Sequence, residues 1–144
     1  MQKFINEDLK VKIKKNIAMT EKDIFIEGLK RRTKKFGVDV ILFCDSLKPT
    51  KASSVITYQL VKSATSVGAN YRAACRGRSD KEFFSKICIV VEEADESVFW
   101  LEVIQDAVLS KNQAELQRLL NEGTEILKIV SKTKDTTYKK LYPK

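Results

Sequence analysis

The residues with the clearest potential for chemistry are six carboxylates between positions 87 and 109, a stretch without Lys or Arg. Acids three or four residues apart share one face of a helix, and such sets hold pairs of metal ions in some helical bundles. In those sites a histidine follows a glutamate at the third position, and this chain has no histidine. We therefore predict that the acids form salt bridges to basic helices and hold no metal. They are Glu92, Glu93, Asp95, Glu96, Glu102 and Asp106.

The absence of histidine also excludes the common nucleophilic triads and zinc sites with imidazole ligands. The three cysteines, Cys44, Cys75 and Cys88, form no CxxC pair and their number is odd, so they indicate neither a disulfide framework nor a metal site. We interpret them as buried free thiols in a reducing cytoplasm. We predict no catalytic residue and no cofactor, and we expect no enzyme activity.

The N-terminal region gives no sign of export. Its first residues lack the apolar core of a signal peptide, and no uncharged run approaches the roughly 18 residues that a membrane span needs. We expect a soluble, cytoplasmic protein that does not contact membranes.

Basic side chains offer a different chemistry, the binding of phosphate. The formal net charge is +8, and residues 1–36 and 62–86 hold an excess of positive charge. Arginine suits phosphate because its planar guanidinium donates two parallel hydrogen bonds. We predict binding of nucleic acid, RNA more than DNA, although no RNA-binding motif is present. The alternative is that Arg72 and Lys62 pair with carboxylates of the acidic segment or of a neighbouring subunit. The predicted contacts are Lys30, Arg31, Arg32, Lys34 and Lys35 in one cluster and Arg72, Arg76, Arg78 and Lys81 in the other.

Stretches with the apolar spacing of helices must position these groups. Thr33 is the expected N-cap of the first helix, and Pro49 ends it. Ser79 and Glu82 form a capping box for the third. Gly68 lies inside the second, where it costs about 1 kcal/mol relative to alanine, so we expect a close approach of two helices there. The four predicted helices cover residues 33–47, 51–76, 79–109 and 112–133.

The helices are long, the connections are short, and only 5 Gly and 2 Pro occur in the chain. This combination predicts an all-α fold, an antiparallel up-down-up-down four-helix bundle. We assign residues 31–133 to the bundle, residues 1–30 to a basic N-terminal extension, and residues 134–144 to a basic, frayed tail.

The third predicted helix has more apolar surface than a monomeric bundle can bury. Ile89, Trp100 and Ile104 lie off the stripe that faces the core, and contiguous exposed apolar patches usually mark contact sites. We predict that the protein self-associates through these three residues together with Glu93 and Glu96. The alternative is that the first helix and the N-terminal segment cover the apolar residues.

Several motifs together resemble one known family. They are SVGANYR at residues 66–72, EEADE at residues 92–96 and FWLE at residues 99–102, together with Arg76, Glu82 and Phe83. The chain is similar over roughly residues 31–133 to the four-helix bundle family that is also called the 23S rRNA intervening-sequence protein family. Residues 1–30 and the tail fall outside the resemblance.

The resemblance implies an antiparallel four-helix bundle that assembles into a homopentamer. It also implies a genetic context near ribosomal RNA intervening sequences, or an accessory role beside a reverse transcriptase in a diversity-generating retroelement. Relatives of this kind bind nucleic acid or a polymerase, and no catalytic residue is known for the family. We therefore keep two hypotheses, a non-enzymatic oligomer that binds RNA and an oligomeric scaffold or accessory factor for a polymerase without direct nucleic-acid contact.

Overall fold

Five α-helices account for most of residues 7–144, the part of the chain that the computed structural model describes. Residues 1–6 of the predicted N-terminal extension lie outside it. The described residues contain no β-strand, so the all-α prediction is confirmed. The helices are α1 (Glu7–Lys14), α2 (Glu21–Asp45), α3 (Lys51–Cys75), α4 (Asp80–Asp106) and α5 (Gln113–Leu141).

The start of α2 differs from the predicted start at Thr33. Thr20 is the N-cap, and its hydroxyl accepts a hydrogen bond from the Asp23 backbone N–H at 3.1 Å while the Asp23 carboxylate accepts one from the Thr20 N–H at 3.0 Å. Thr33 lies in mid-helix, fully buried, and its hydroxyl donates to the carbonyl oxygen of Leu29 at 2.8 Å. Threonine is found in both settings, and the dense charges of residues 21–32 hide the helical spacing of the few apolar residues there.

The end of α5 also differs from the prediction. The helix continues to Leu141, so most of the predicted frayed tail is helical. This extension is held against the start of α4, where the Lys140 ammonium lies 3.1 Å from the Asp80 carboxylate and the rings of Tyr138 and Phe84 are 5.9 Å apart. Ser79 is the N-cap of α4 as predicted, and its hydroxyl accepts a hydrogen bond from the Glu82 N–H at 3.1 Å. The predicted capping box is incomplete, because the Glu82 carboxylate accepts from the Arg78 backbone N–H at 2.6 Å.

The core lies among the four long helices. Contacts join α2 to α3, α3 to α4, and α4 to α5, and a much smaller contact joins α5 back to α2. A hydrogen bond of 3.0 Å between the hydroxyls of Ser97 and Ser63 crosses the α3–α4 interface inside the core. In α5, Ile126 is fully buried and its neighbour Leu127 is half-buried. The largest side chains without solvent exposure include Phe36, Leu60, Tyr71, Ile87, Leu101, Leu116 and Leu119.

Two glycines let the backbones of α2 and α3 touch. A Cβ atom added to Gly68 would lie 3.2 Å from the Thr33 carbonyl carbon and from the Lys34 backbone nitrogen. A Cβ atom on Gly37 would lie 3.3 Å from the Cα of Thr65. The predicted close approach at Gly68 is thus confirmed.

Helix α1 is short and is held at few points. Leu9 is its one buried residue, and the Lys12 ammonium donates a hydrogen bond to the Asp23 carboxylate in the capping box of α2. The chain turns after α1 at Asn16, whose φ of 55° lies in the left-handed region that asparagine tolerates.

Candidate nucleic-acid interface

A groove of about 570 Å³ lies where α1, the following turn, α2 and α3 meet. Its position follows from the close packing of α2 on α3, because Arg72 lies one helical turn after Gly68 and Lys34 lies opposite that glycine. The groove thus brings one residue of the second predicted basic cluster beside three of the first. Its basic lining residues are Lys30, Arg31, Lys34 and Arg72, and its apolar ones include Leu9, Ile13, Met19, Val38 and Ile41.

Within this groove Lys30 is not an exposed cation. Its side chain is 6% exposed and its ammonium lies 3.1 Å from the carboxylate of Glu27, which is 11% exposed. Burial of two charges is tolerated when each compensates the other. Lys30 is therefore a buried ion-pair partner rather than the phosphate contact that we predicted.

Two other members of the first cluster take part in ion pairs that tie α2 to α5 or extend along α2. The Arg32 guanidinium donates two hydrogen bonds, 2.9 and 2.7 Å long, to the two carboxylate oxygens of Glu122, and this interaction raises the pKa of Arg32. Lys35 and Arg118 both reach the carboxylate of Asp39, at 2.7 and 3.0 Å. Arg32 and Lys35 thus have structural partners within the subunit, and these partners lie on α5 and α2 rather than in the acidic segment.

The remaining predicted contacts occupy the turn between α3 and α4 and the first turn of α4. Arg76, Arg78 and Lys81 are all exposed there, and none of them lines the groove. The predicted nucleic-acid residues therefore fall on two surfaces: a groove with Arg31, Lys34 and Arg72, and a turn with Arg76, Arg78 and Lys81.

The acids of α4 behave differently from the prediction. In the part of the chain that the structure describes, no salt bridge joins the six predicted carboxylates to a lysine or arginine. The carboxylates that do pair lie on other helices or, in the case of Asp80, in the first turn of α4. Burial and the neighbouring carboxylates of Glu96 and Glu92 raise the pKa of Glu93, while the charge of Lys62 acts in the opposite direction. Within the described residues the predicted salt bridges inside one subunit are thus wrong, and these six carboxylates leave an acidic surface on α4 without a basic partner.

Apolar groups flank this acidic surface. Phe99 is 53% exposed and its ring meets that of Trp100 edge-on, with centroids 5.0 Å apart. The Trp100 side chain is half-buried, and its Nε1–H is buried without a hydrogen-bond acceptor among the described residues. Ile89 is half-buried, but Ile104 is fully buried in the core. Ile104 is therefore a core residue and not the interface residue that we predicted.

Other exposed apolar side chains were not singled out from the sequence. Val38, Ile41 and Leu42 lie on the outer face of α2, and Val55 and Tyr58 lie on α3, with Leu42 and Tyr58 exposed by 64% and 65%. The signal was present in the sequence, since positions 38, 41 and 42 have helical spacing on a face that the core does not use.

The thiols are not arranged for chemistry. All three cysteines are free, and only Cys44 is fully buried, while Cys75 and Cys88 are half-buried. Burial raises the pKa of Cys44 to about 11 and also raises that of Cys75. Among the described residues no group of three or more Cys, Asp or Glu is placed to hold a metal ion. None of the helices described has an apolar stretch long enough to cross a membrane.

Comparison with known proteins identifies the class. Residues 29–132 match the model of the 23S rRNA-intervening sequence protein family, and the chain belongs to that family. A crystal structure at 1.70 Å resolution, of a protein with unknown function from the S23 ribosomal protein family of Bacteroides thetaiotaomicron VPI-5482, superposes with a TM-score of 0.65 at 28% sequence identity. The match covers 74% of this chain and 97% of that one. A search of curated proteins gave no match.

Proposed function

We propose that this protein is a non-enzymatic cytoplasmic oligomer that binds nucleic acid, RNA more than DNA, through basic surfaces. In this proposal α2 to α5 run alternately up and down as an antiparallel four-helix bundle. The observation that supports binding best is the convergence of Arg31, Lys34 and Arg72 on one groove, with Arg76 one turn further along α3. Three cationic side chains around one groove favour a polyanion, because each neutralised phosphate releases counterions.

Self-association is the second part of the proposal. The acidic surface of α4 makes no salt bridge within the described residues, and the exposed Phe99 and the unsatisfied Trp100 Nε1–H lie in the same region. A neighbouring copy could cover the rings and offer an acceptor and cations to Glu93 and Glu96. Contact between two different surfaces of the same chain closes into a ring when the rotation allows it, and the family resemblance favours five copies.

Light scattering at micromolar concentration tests the association. We expect a mass several times the 16.4 kDa of one chain, and a 16.4 kDa monomer would contradict the proposal. Replacement of Phe99 by alanine should weaken assembly, because aromatic anchors concentrate binding energy at interfaces. Phe25→Ala is a matched control, since Phe25 is 50% exposed on α2 and lies outside the proposed interface. Trp100→Phe replaces the indole by a smaller aromatic ring and removes the N–H. An oligomer as stable as that of the unaltered protein would therefore show that no acceptor on the next copy is needed.

The salt dependence of binding tests the contact with phosphate. On a single strand each neutralised phosphate contributes about −0.7 to the slope of log affinity against log salt. If Arg72, Arg76 and Arg78 touch phosphates, their joint replacement by glutamine should make this slope shallower by about 2. The triple variant Lys22→Gln, Lys51→Gln, Lys111→Gln removes the same charge from exposed positions elsewhere and should change the slope much less. Equal slopes in the two triple variants would contradict the assignment of these arginines.

A scaffold is the second candidate function. The unpaired acidic surface of α4 would suit a basic protein partner, such as a polymerase or a reverse transcriptase, and no nucleic-acid contact would then be required. Absence of binding to RNA and DNA even at low salt would favour this candidate. If the triple arginine variant instead dissociates the oligomer, these arginines are partners of carboxylates on a neighbouring copy.

A further inference from the structure

Three aromatic rings form a row at the end of the molecule where α4 begins and α5 ends. The ring centroids of Phe84 and Tyr138 are 5.9 Å apart, and those of Tyr138 and Tyr142 are 5.0 Å apart. Tyr138 and Tyr142 are 52% and 53% exposed, whereas Phe84 is half-buried and packs against the core. The row thus begins in the core and extends outward into solvent.

The row depends on the part of α5 that the sequence did not predict to be helical. Tyr138 and Tyr142 are four residues apart, so the helix and its cap place them one above the other on the same face. The salt bridge of 3.1 Å between Lys140 and Asp80 holds this end of α5 against the start of α4. As a result Tyr138 meets Phe84, which lies 54 positions earlier in the chain.

Several lysines lie within about one helical turn of the row. Lys134 precedes Tyr138 by four residues and Lys81 precedes Phe84 by three, so each lies one turn from a ring on the same helix face. Carboxylates neutralise two nearby lysines, since Lys139 pairs with Asp135 at 2.9 Å and Lys140 pairs with Asp80. Residues 131–144 nevertheless contain five lysines against one acid.

We propose that this aromatic row binds the unpaired bases of a single-stranded nucleic acid while the neighbouring lysines contact its phosphates. Exposed rings beside cations are the combination that single-strand binding proteins use, because every base has a flat face that stacks on an aromatic side chain. A duplex hides those faces, so the row favours single strands. This inference rests on the proposed function and narrows its ligand.

The aromatic row also helps to stabilise the fold, and the test must separate this contribution from binding. Tyr138 lies between the other two rings and helps to anchor α5, so its removal would also loosen the helix. Tyr142 is the outermost ring and directly follows the last residue of α5. Substitution of Tyr142 therefore tests stacking with little effect on the fold.

The experiment measures fluorescence anisotropy with three labelled probes that carry equal numbers of phosphates: a single-stranded oligo(U), an abasic strand of the same length, and an RNA duplex. We expect oligo(U) to bind most tightly of the three probes. Tyr142→Ala should weaken the binding of oligo(U) about fivefold or more, and fivefold is the lower end of the effect expected from the loss of one stacked base. The same substitution should leave the abasic strand and the salt slope unchanged. Tyr142→Phe should retain binding because it keeps the ring. Tyr58→Ala, which removes a tyrosine of 65% exposure on α3, is the matched control.

The outcomes separate this inference from the proposed function. Equal affinity for oligo(U) and the abasic strand, or unchanged affinity in a folded Tyr142→Ala protein, would overturn the aromatic row as a base-binding site. Steep salt dependence would still support phosphate binding in that case. Failure of all three probes to bind at low salt would overturn both the aromatic row as a base-binding site and the proposed binding of nucleic acid.

Discussion

Replacement of Gly68 by alanine tests whether α2 and α3 are as closely packed as the structure indicates. Alanine favours a helix by about 1 kcal/mol over glycine, so the substitution would stabilise an isolated α3. In the folded protein, however, the new Cβ would meet the backbone of Thr33 and Lys34 at 3.2–3.3 Å. Carbon atoms at optimal contact lie about 3.5–4.0 Å apart, so the two helices would have to separate by a few tenths of an ångström.

The two effects oppose each other, and the packing effect is larger. Insertion of a methyl group into well-packed structure costs about 1–3 kcal/mol, and here the atoms in the way belong to the backbone and cannot change rotamer. After subtraction of the gain in helix propensity, we expect Gly68→Ala to lower the free energy of unfolding by about 1 kcal/mol. Gly28 in α2 provides the matched control, because a Cβ there meets nothing within 4 Å. Gly28→Ala should raise the free energy of unfolding by up to about 1 kcal/mol.

Urea unfolding followed by far-ultraviolet circular dichroism, at one fixed protein concentration, measures both variants. The expected difference between them is about 2 kcal/mol, provided that the dependence on urea is equal for both. Equal stabilisation by the two substitutions would refute the close approach. The reason is that helix propensity alone would then explain both results.

Two further predictions concern charged pairs. Lys30→Met should lower the free energy of unfolding by about 3 kcal/mol, because the Glu27 carboxylate loses its cation while it stays buried. The double variant with Glu27→Met should recover most of this loss. Equal losses in the single and double variants, measured by urea unfolding, would contradict the buried ion pair. The hydrogen bond from Lys12, followed by that from the Thr20 backbone, lowers the pKa of Asp23 to about 2. Because the folded value lies below the ordinary one, the pair stabilises the protein above about pH 4 and this contribution is lost as the pH falls toward 2. The protection of the α1 amides from exchange, relative to the intrinsic rate at each pH, should therefore fall over that interval, and Asp23→Asn should remove this change in protection.

Local signals in the sequence predicted the boundaries of α3 and most of α4. Pro49 stops one helix, and Ser79 caps another through a short-range hydrogen bond that depends on residues three apart. Thr33 shows where such signals become ambiguous, since a threonine can cap a helix or donate to the preceding turn inside one. Which of these occurs depends on Leu29 and the other apolar residues before it, which the core buries.

The candidate site was less predictable because its contacts join distant positions. The pair of Arg32 and Glu122 links residues 90 apart, and nothing in the local sequence distinguishes Arg32 from its neighbour Arg31, which lines the groove. Likewise Ile104 lies off the stripe expected from ideal helical geometry, yet it is fully buried in the core. The sequence could place cations on helices but could not select the partner of each.

The unequal contacts among the long helices have a consequence for the speed and order of folding. Each helix from α2 to α5 packs mainly on the next one in the chain, and only the smaller contact between α2 and α5 joins the two ends. Proteins dominated by such local contacts fold within microseconds to milliseconds, since little loop entropy is lost before contacts form. We expect the α3–α4 pair to form early and the α2–α5 contact to form last. In variants that lack the Arg32–Glu122 pair, this last step should therefore appear as a slow phase in the folding kinetics.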